Sequence, residues 1–167
     1  MTAEPVHRLE RPADASSVRA VLEAAFEGKV EADLVERLRM GGHLIAALVA
    51  EDADGVVGYV AFPRLGLSTH GRAIQAVGLA PLGITPRRQR QGIGNMLVRA
   101  GLAQLQAAGE RIVFVLGAPA YYDRFGFKAM DGYVSPYAGP YFQTIRLAAD
   151  APVSGIVTYP APFAELG

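Results

Sequence analysis

The sequence contains no cysteine and no tryptophan, and its 16 Lys plus Arg are matched by 16 Asp plus Glu. Without cysteine, disulfides, thiolate metal sites and a cysteine nucleophile are excluded. The even balance of charge leaves no global field to draw the chain to nucleic acid or an anionic membrane, so any anion site must be local. Long apolar runs are missing as well. The stretches Leu44 to Ala50 and Ile112 to Leu116 fall far short of the roughly 20 residues that span a bilayer. The first ten residues, with Glu4, His7, Arg8 and Glu10, have no apolar segment of the kind a secretory signal carries. The expectation is a cytoplasmic protein with no nucleic-acid partner, no membrane partner and no metal.

What is there suffices for a sizeable core: 167 residues with a 51% hydrophobic fraction fit one domain spanning 1–167. Val6 to Leu9 reads as a short strand. Asp14 is a candidate N-cap for a helix carrying Val18, Val21, Leu22, Ala25 and Phe26 at helical spacing. A second amphipathic helix carries Leu34, Val35 and Leu38 and stops at Gly41 and Gly42. Leu44 to Ala50 and Val56 to Phe62 form a hairpin about Asp54-Gly55. Pro63, Gly66 and Gly71 break the next stretch into a loop, and Ala73 to Ile84 is extended up to Pro86.

After Pro86 the pattern passes from strand through a glycine-rich loop to a helix. Its apolar face is Ile93, Leu97, Val98, Gly101, Leu102 and Leu105, and Gly109 is its stop. Ile112 to Leu116 is apolar on both faces, as a covered central strand is. This β-α-β unit predicts a parallel pair of strands. A short segment from Pro119 to Phe125 follows, with Tyr141 to Leu147 and Gly155 to Tyr159 as further strands.

The loop Gln89-Arg90-Gln91-Gly92-Ile93-Gly94 opens that helix, and a helix start offers unpaired N–H groups and a partial positive charge to an anion. Two glycines let a phosphate approach the backbone, and Arg87, Arg88 and Arg90 add charge. Taken alone, the loop serves equally as a plain turn with solvated arginines. A nucleotide P-loop is excluded because Asn95 and Met96, not Lys and Ser or Thr, follow Gly94. A dinucleotide fingerprint fails for want of a third glycine at Leu97 and an acid ending the second strand.

The stretch Leu79 to Pro86 followed by Gln89-x-x-Gly92-x-Gly94 resembles the acetyl-CoA loop of the GCN5-related N-acetyltransferases (GNAT). After the next strand, Gly117-Ala118-Pro119-Ala120-Tyr121-Tyr122-Asp123-Arg124-Phe125-Gly126-Phe127 is similar to the family's Tyr-x-x-x-Gly-Phe element. It is closer still to a bacterial subgroup with Gly-x-Pro-x-Tyr-Tyr-x-Arg-Phe-Gly-Phe. The resemblance runs from about Val6 to Leu147. It implies an α/β (α+β) fold with a mixed, mostly antiparallel sheet of six to seven strands and about four flanking helices. The parallel fourth and fifth strands would splay, with acetyl-CoA in the gap.

By the same resemblance, the backbone of Leu82, Gly83 and Ile84 would pair with the pantetheine arm. Backbone amides of Gln89, Arg90, Gln91, Gly92, Ile93 and Gly94 would hold the pyrophosphate, with Asn95 contributing, and Gly117 would also bind the cofactor. Tyr122, four residues before Gly126-Phe127, would be the acid for the departing thiolate. With a phenol near about 10 and a thiol near about 8.5, that transfer is uphill by about two units. Tyr121 and Tyr122 are adjacent helical positions and cannot face the same way, so at most one reaches the thiol.

The base stays open, because Ala73 to Ile84 carries no carboxylate. His43, His70 and a water oriented by Gln75 are candidates, and both histidines read first as structural or surface residues. Asp123 and Arg124 read as a solvated face, with Arg124 within range of the cofactor. The acceptor, a small-molecule or peptide amine, should lie against the first two helices, the Pro63 to Arg72 loop and the tail around Tyr133 to Phe142. Tyr133, Tyr137, Tyr141 and Phe142 serve equally as walls or as core. Glu27, Glu31 and Asp33 read first as a solvated helix surface and second as attractors of a cationic amine. A homodimer is an allowed assembly, and a CoA-binding sensor without transferase activity is the alternative function.

Overall fold

The computed structural model describes residues 4–166. Its core is a sheet in which β2 (Leu44–Asp52) and β3 (Gly55–Thr69) form the central hairpin. Gly55 closes that hairpin at φ 117°, a backbone angle that glycine adopts without the Cβ penalty. β1 (Val6–Leu9) pairs antiparallel with β2 at one edge. β4 (Arg72–Leu79) runs back along β3, and β6 (Ile112–Leu116) joins β4 in parallel with Val77 opposite Val113. β8 (Phe142–Arg146) closes the other edge. The parallel β4/β6 pair flanks α3 (Ile93–Ala107), as the β-α-β pattern predicts.

Alternation along β3 decides which helix lies on which face. Tyr59 and Ala61 pack with Val18 and Leu22 of α1 (Ala15–Phe26) and Ala32 and Val35 of α2 (Val30–Met40). Val60 and Phe62 pack on the opposite side with Leu97, Val98 and Leu102 of α3. All six apolar α3 positions expected to face inward are buried. Gly101 is among them because a Cβ there would overlap the Phe62 ring, so the helix can approach the sheet only without one. Each buried Leu or Phe of this kind contributes about 1.5–3 kcal/mol.

Nine strands and four α-helices are present among the described residues, where six to seven strands were expected. The extra strands have two origins. The tail adds β7 (Tyr133–Val134), which pairs in parallel with β9 (Gly155–Thr158), the strand expected at Gly155 to Tyr159, and β9 also pairs with β3. The extended run Ala73 to Ile84 is also two strands, β4 and β5 (Leu82–Ile84). Between them Ala80 and Pro81 both oppose Ala61, which accepts from the Ala80 N–H and donates to the Pro81 carbonyl. The register against β3 shifts by one residue across this point, which defines a β-bulge.

The segment expected as a loop, Pro63 to Arg72, is instead the outer half of β3 and its turn at His70 and Gly71. Pro63 falls where the pairing with β2 ends, opposite Leu44, and the pairing with β4 begins at the next residue, Arg64. Asp14 does stand at the start of α1, yet its carboxylate makes no cap of that helix. It accepts from the Arg11 N–H at 2.7 Å and from Arg8 at 2.8 and 2.9 Å, tying β1 to the helix entry.

Candidate active site

The bulge at Ala80-Pro81 determines the site. β4 and β6 stay paired through Leu79 and Val115, after which β5 departs with β3 and leaves its other edge without a strand. In an antiparallel ladder the N–H and C=O of alternate residues point to opposite edges. The bonds of Ala61 to Pro81 and of Thr85 to Val57 fix the phase, so Gly83 turns its amide to Tyr59. Leu82 and Ile84 turn theirs outward, and the Ile84 carbonyl accepts the Gln89 side-chain amide at 2.9 Å. Gly83 has a different reason to be glycine: a Cβ would stand 3.0 Å from Leu22 and 3.2 Å from Phe26 of α1.

From Ile84 the chain runs through a short 3-10 turn, Pro86–Arg88, into the glycine loop and α3. The backbone N–H groups of residues 90 to 95 donate to no protein acceptor among the described residues. They form a row of orphan donors at the positive end of a 15-residue helix. Two residues hold the loop in left-handed conformations, Arg90 at φ 63° and Gly92 at φ 82°. A Cβ at Gly92 would meet nothing within 4 Å, so this glycine serves the turn and leaves the approach to the amides open. Gly94 differs: the Tyr121 hydroxyl lies 2.8 Å from where its Cβ would stand.

Side chains of the loop mostly fold back onto it. Arg88 donates to Asp52 at 3.0 Å and to Gln91 at 2.8 Å, and the Gln91 amide donates to the Arg87 carbonyl. Asp52 has its pKa lowered by the Asp54 N–H first and by Arg88 next. Much of the arginine charge expected beside the loop is therefore already matched, and Arg124 supplies further charge from elsewhere. Its guanidinium lies 4.6 Å over the Tyr121 ring and its Nε donates to the Tyr121 carbonyl at 2.9 Å. The open edge of β5, the loop amides, Tyr121 and Arg124 line one cleft of about 580 Å³.

A second cavity of about 480 Å³ adjoins this cleft, and Phe26 and Leu82 line both. Tyr122 lines the second and Tyr121 the first, so the adjacent tyrosines of α4 (Pro119–Tyr122) face different spaces, as their positions on a helix require. The Tyr122 ring is seated by its neighbours. A Cβ on Gly117 would overlap it, and Tyr121 and Phe127 meet it edge-on at 5.0 and 5.7 Å. Gln143, buried on β8, donates its amide to the Gly117 carbonyl at 3.0 Å and holds that turn. Gly117 itself lines neither space. Tyr122 is 9% exposed, and burial, then the neighbouring Tyr121, pushes its pKa up to about 12. Against a thiol near about 8.5, outright proton donation is then uphill by more than three units, further than the unperturbed values suggest. A hydrogen bond to developing sulfur charge needs no such transfer.

The candidate bases are not gathered here. His43 ends the α2–β2 turn, His70 sits in the β3–β4 turn at φ 49°, and Gln75 lines a shallow groove at the far end of β4. None lines either cavity. Of the four aromatic residues proposed as walls, Tyr137 alone lines the second cavity. Tyr133 and Phe142 pack on Phe114 in the core, and Tyr141 is exposed. Of the three acidic residues only Glu31 lines it, while Asp33 pairs with Arg19 at 2.9 Å. Tyr159 and Phe163, which complete the wall, carry no motif. Their only sequence signal is a run of aromatic and proline residues, Tyr159-Pro160-Ala161-Pro162-Phe163.

Among the described residues no group of three or more His, Asp or Glu side chains could hold a metal ion, and no helix is long and apolar enough to cross a membrane. An open α/β sheet, a strand edge released by a bulge and a row of orphan amides at a helix start define a class. Residues 7–130 match the family described as acetyltransferase (GNAT) domain, and the chain belongs to that family. It is 41% identical over 159 residues to the uncharacterized N-acetyltransferase YhbS of Escherichia coli K12, covering 91% of this chain and 94% of that one.

Among solved structures it resembles the E. coli GNAT family N-acetyltransferase YhbS in complex with CoA. The TM-score is 0.89 at 39% identity, covering 98% of this chain and 93% of that chain. A GNAT family acetyltransferase from Brucella melitensis in complex with acetyl-CoA matches at TM-score 0.83 and 39% identity, over 96% and 98% of the two chains. The expected GNAT fold and acetyltransferase class are thus met.

Proposed function

We propose that this protein moves the acetyl group of acetyl-CoA to the nitrogen of an amine, both substrates being bound together. The observation that carries the reading is the continuity of one cleft from the outward edge of β5 to the orphan amides of residues 90 to 95. A linear ligand with a peptide-like arm and a pyrophosphate at one end fits such a surface: the arm adds to the strand edge, and the phosphates meet the helix start. Similar chains carry CoA and acetyl-CoA in their crystal structures.

Acetyl-CoA supplies the activated acyl group: the amine lone pair forms an N–C bond, the C–S bond breaks with its electron pair going to sulfur, and the amine loses one proton to solvent. The residues of the chain have separate tasks. Leu82 and Ile84 present main-chain groups to the arm, and an outward N–H there polarises the acyl carbonyl. Residues 89 to 94 and Asn95 hold the phosphates. Gly117 leaves room for the Tyr122 ring, and Tyr122, protonated at any physiological pH, donates a hydrogen bond to the sulfur as charge develops. With no titratable base among the candidates at the site, the amine reacts in its neutral form.

We also assign the chain to the bacterial subgroup with Gly-x-Pro-x-Tyr-Tyr-x-Arg-Phe-Gly-Phe, because seven of the eight specified residues of that element have a fitted task here. Gly117 clears the ring, Pro119 opens α4, Tyr121 fills the Gly94 notch, Arg124 covers Tyr121, and Phe125 and Phe127 bracket Tyr122. A single domain working in the cytoplasm, where acetyl-CoA is made, completes the reading. Calorimetric titration with acetyl-CoA tests it first, and release of free CoA on adding an amine tests it second. Binding without release from any amine would leave a sensor and remove the transferase.

A further inference from the structure

The second cavity has one ionisable carboxylate and no Lys, Arg or His in its lining. Glu31 stands on the first turn of α2. The neighbouring acids are already paired: Arg19 gathers Glu23 at 2.7 Å, Asp33 at 2.9 Å and Glu36 at 3.0 Å. Glu31 has no ion pair and no hydrogen-bond partner among the described residues. It faces a wall of Tyr137, Tyr159 and Phe163, whose rings meet edge-on at 4.9 and 5.0 Å. None of the hydroxyls of Tyr122, Tyr137 and Tyr159 has a protein hydrogen-bond partner among the described residues.

We infer that this cavity selects a small monoamine on an apolar or aromatic body that carries no carboxylate, and that Glu31 recognises its ammonium form on entry, the ammonium then giving a proton to solvent so that the neutral amine attacks. The inference rests on the acetyl-transfer reading and names its acceptor class. A single carboxylate in an aromatic box matches one cation, with the ring faces adding attraction for it. A free amino acid brings a carboxylate that meets Glu31 and finds no cation among the lining residues to pair with, which is costly in a largely apolar space. A polyamine brings further ammonium groups that the aromatic wall leaves unpaired. The volume of about 480 Å³ suits a small molecule. The aromatic rings give it apolar area to bury.

Three probes separate these classes: 2-phenylethylamine, phenylalanine, which has the same body with a carboxylate added, and spermidine. Because the chain has no cysteine, a thiol reagent reads only released CoA. The expected result is that kcat/KM for 2-phenylethylamine exceeds those for the other two by about tenfold or more. Glu31→Gln should raise its KM by about tenfold to a hundredfold, the worth of a lost charged contact, with acetyl-CoA affinity unchanged. Glu31→Lys should reverse the order of 2-phenylethylamine and phenylalanine. Titration of 2-phenylethylamine into the CoA-saturated protein reads the same preference without chemistry.

Phenylalanine or spermidine equal to or better than 2-phenylethylamine, in turnover or in binding, overturns the inference. So does a Glu31→Gln protein that binds acetyl-CoA normally and keeps the wild-type KM. Loss of acetyl-CoA binding by the wild type would instead overturn the reading beneath it, and the inference with it.

Discussion

In the cleft beside α3, a row of main-chain groups faces outward, the amides of residues 90 to 95 and the free edge of Leu82 and Ile84, alongside the side chains of Arg90, Tyr121 and Arg124. In the adjoining cavity the polar groups belong to side chains, the Glu31 carboxylate and the hydroxyls of Tyr122, Tyr137 and Tyr159, brought from α2, α4 and the tail. A backbone surface constrains the sequence through conformation, so it demands glycine where φ is positive and tolerates many residues elsewhere. A side-chain surface constrains residue types one at a time and leaves no spacing rule. The first surface is suited to a ligand held in common by many proteins, the second to one particular to this chain.

The comparison can be broken at Tyr122, which lines the second cavity. Tyr122→Phe keeps the ring packing and removes the donor. It should lower kcat about a hundredfold while leaving the calorimetric Kd for acetyl-CoA within twofold or so of wild type. Full turnover in the variant would remove the hydroxyl from the mechanism. Because burial holds the Tyr122 pKa up to about 12, its proton is retained as pH rises, and no alkaline loss of kcat should trace to it below about pH 10. An alkaline limb that moves in Tyr122→Phe would contradict this.

Gly92→Val sharpens the same contrast from the backbone side. A β-branched residue at φ 82° costs about 1–3 kcal/mol and disturbs the amides it carries. Acetyl-CoA should bind about tenfold more weakly, and a thermal melt should fall by several degrees. Equal affinity would show that the loop amides do not hold the phosphates. The converse change is Arg90→Gly, which relieves a left-handed arginine at φ 63°. It should raise stability by up to about 1 kcal/mol in urea titration and weaken acetyl-CoA by no more than a few-fold.

A control lies outside both surfaces. Arg8 holds the Asp14 pKa down at about 2, against 3.8 for the unperturbed group. A depressed carboxylate stabilises the folded chain above its unfolded pKa, and that stabilisation disappears as pH falls through the folded value. Wild type should therefore exceed Asp14→Asn by on the order of 2 kcal/mol at pH 6. The gap should close between about pH 4 and pH 2, with acetyl-CoA affinity at pH 7 the same in both. A constant gap across that range would show that the Arg8 contact is not what stabilises the carboxylate.

Local pattern made the backbone half of the site legible. The α3 face, the loop glycines and the β-α-β unit are short-range features, set by helical period, by left-handed turns and by capping within a few residues of one another. The bulge was not legible, because Ala73 to Ile84 is apolar and extended throughout and only pairing against Ala61 reveals the extra residue. Nor was the reach of β3 through Pro63, since β9 and β4 supply the pairing that outweighs the proline and glycines. Glu31 was indistinguishable from Glu27 and Asp33 by composition; the ion pair of Asp33 with Arg19 and the place of Glu31 in a cavity lined by tail aromatic residues separate them.

The sequence by itself determined a cysteine-free α/β acetyltransferase, the place of its glycine loop at the start of α3 and the tyrosine pair that follows. Each rests on interactions between residues close along the chain. The tertiary structure decided that Tyr121 serves one space and Tyr122 the other, that Leu82 and Ile84 rather than Gly83 face outward, and that Glu31 lines one cavity with Tyr159 and Phe163. Those placements are set by residues far apart in sequence. Their geometry depends on sheet register and on a one-residue bulge, which no local preference encodes.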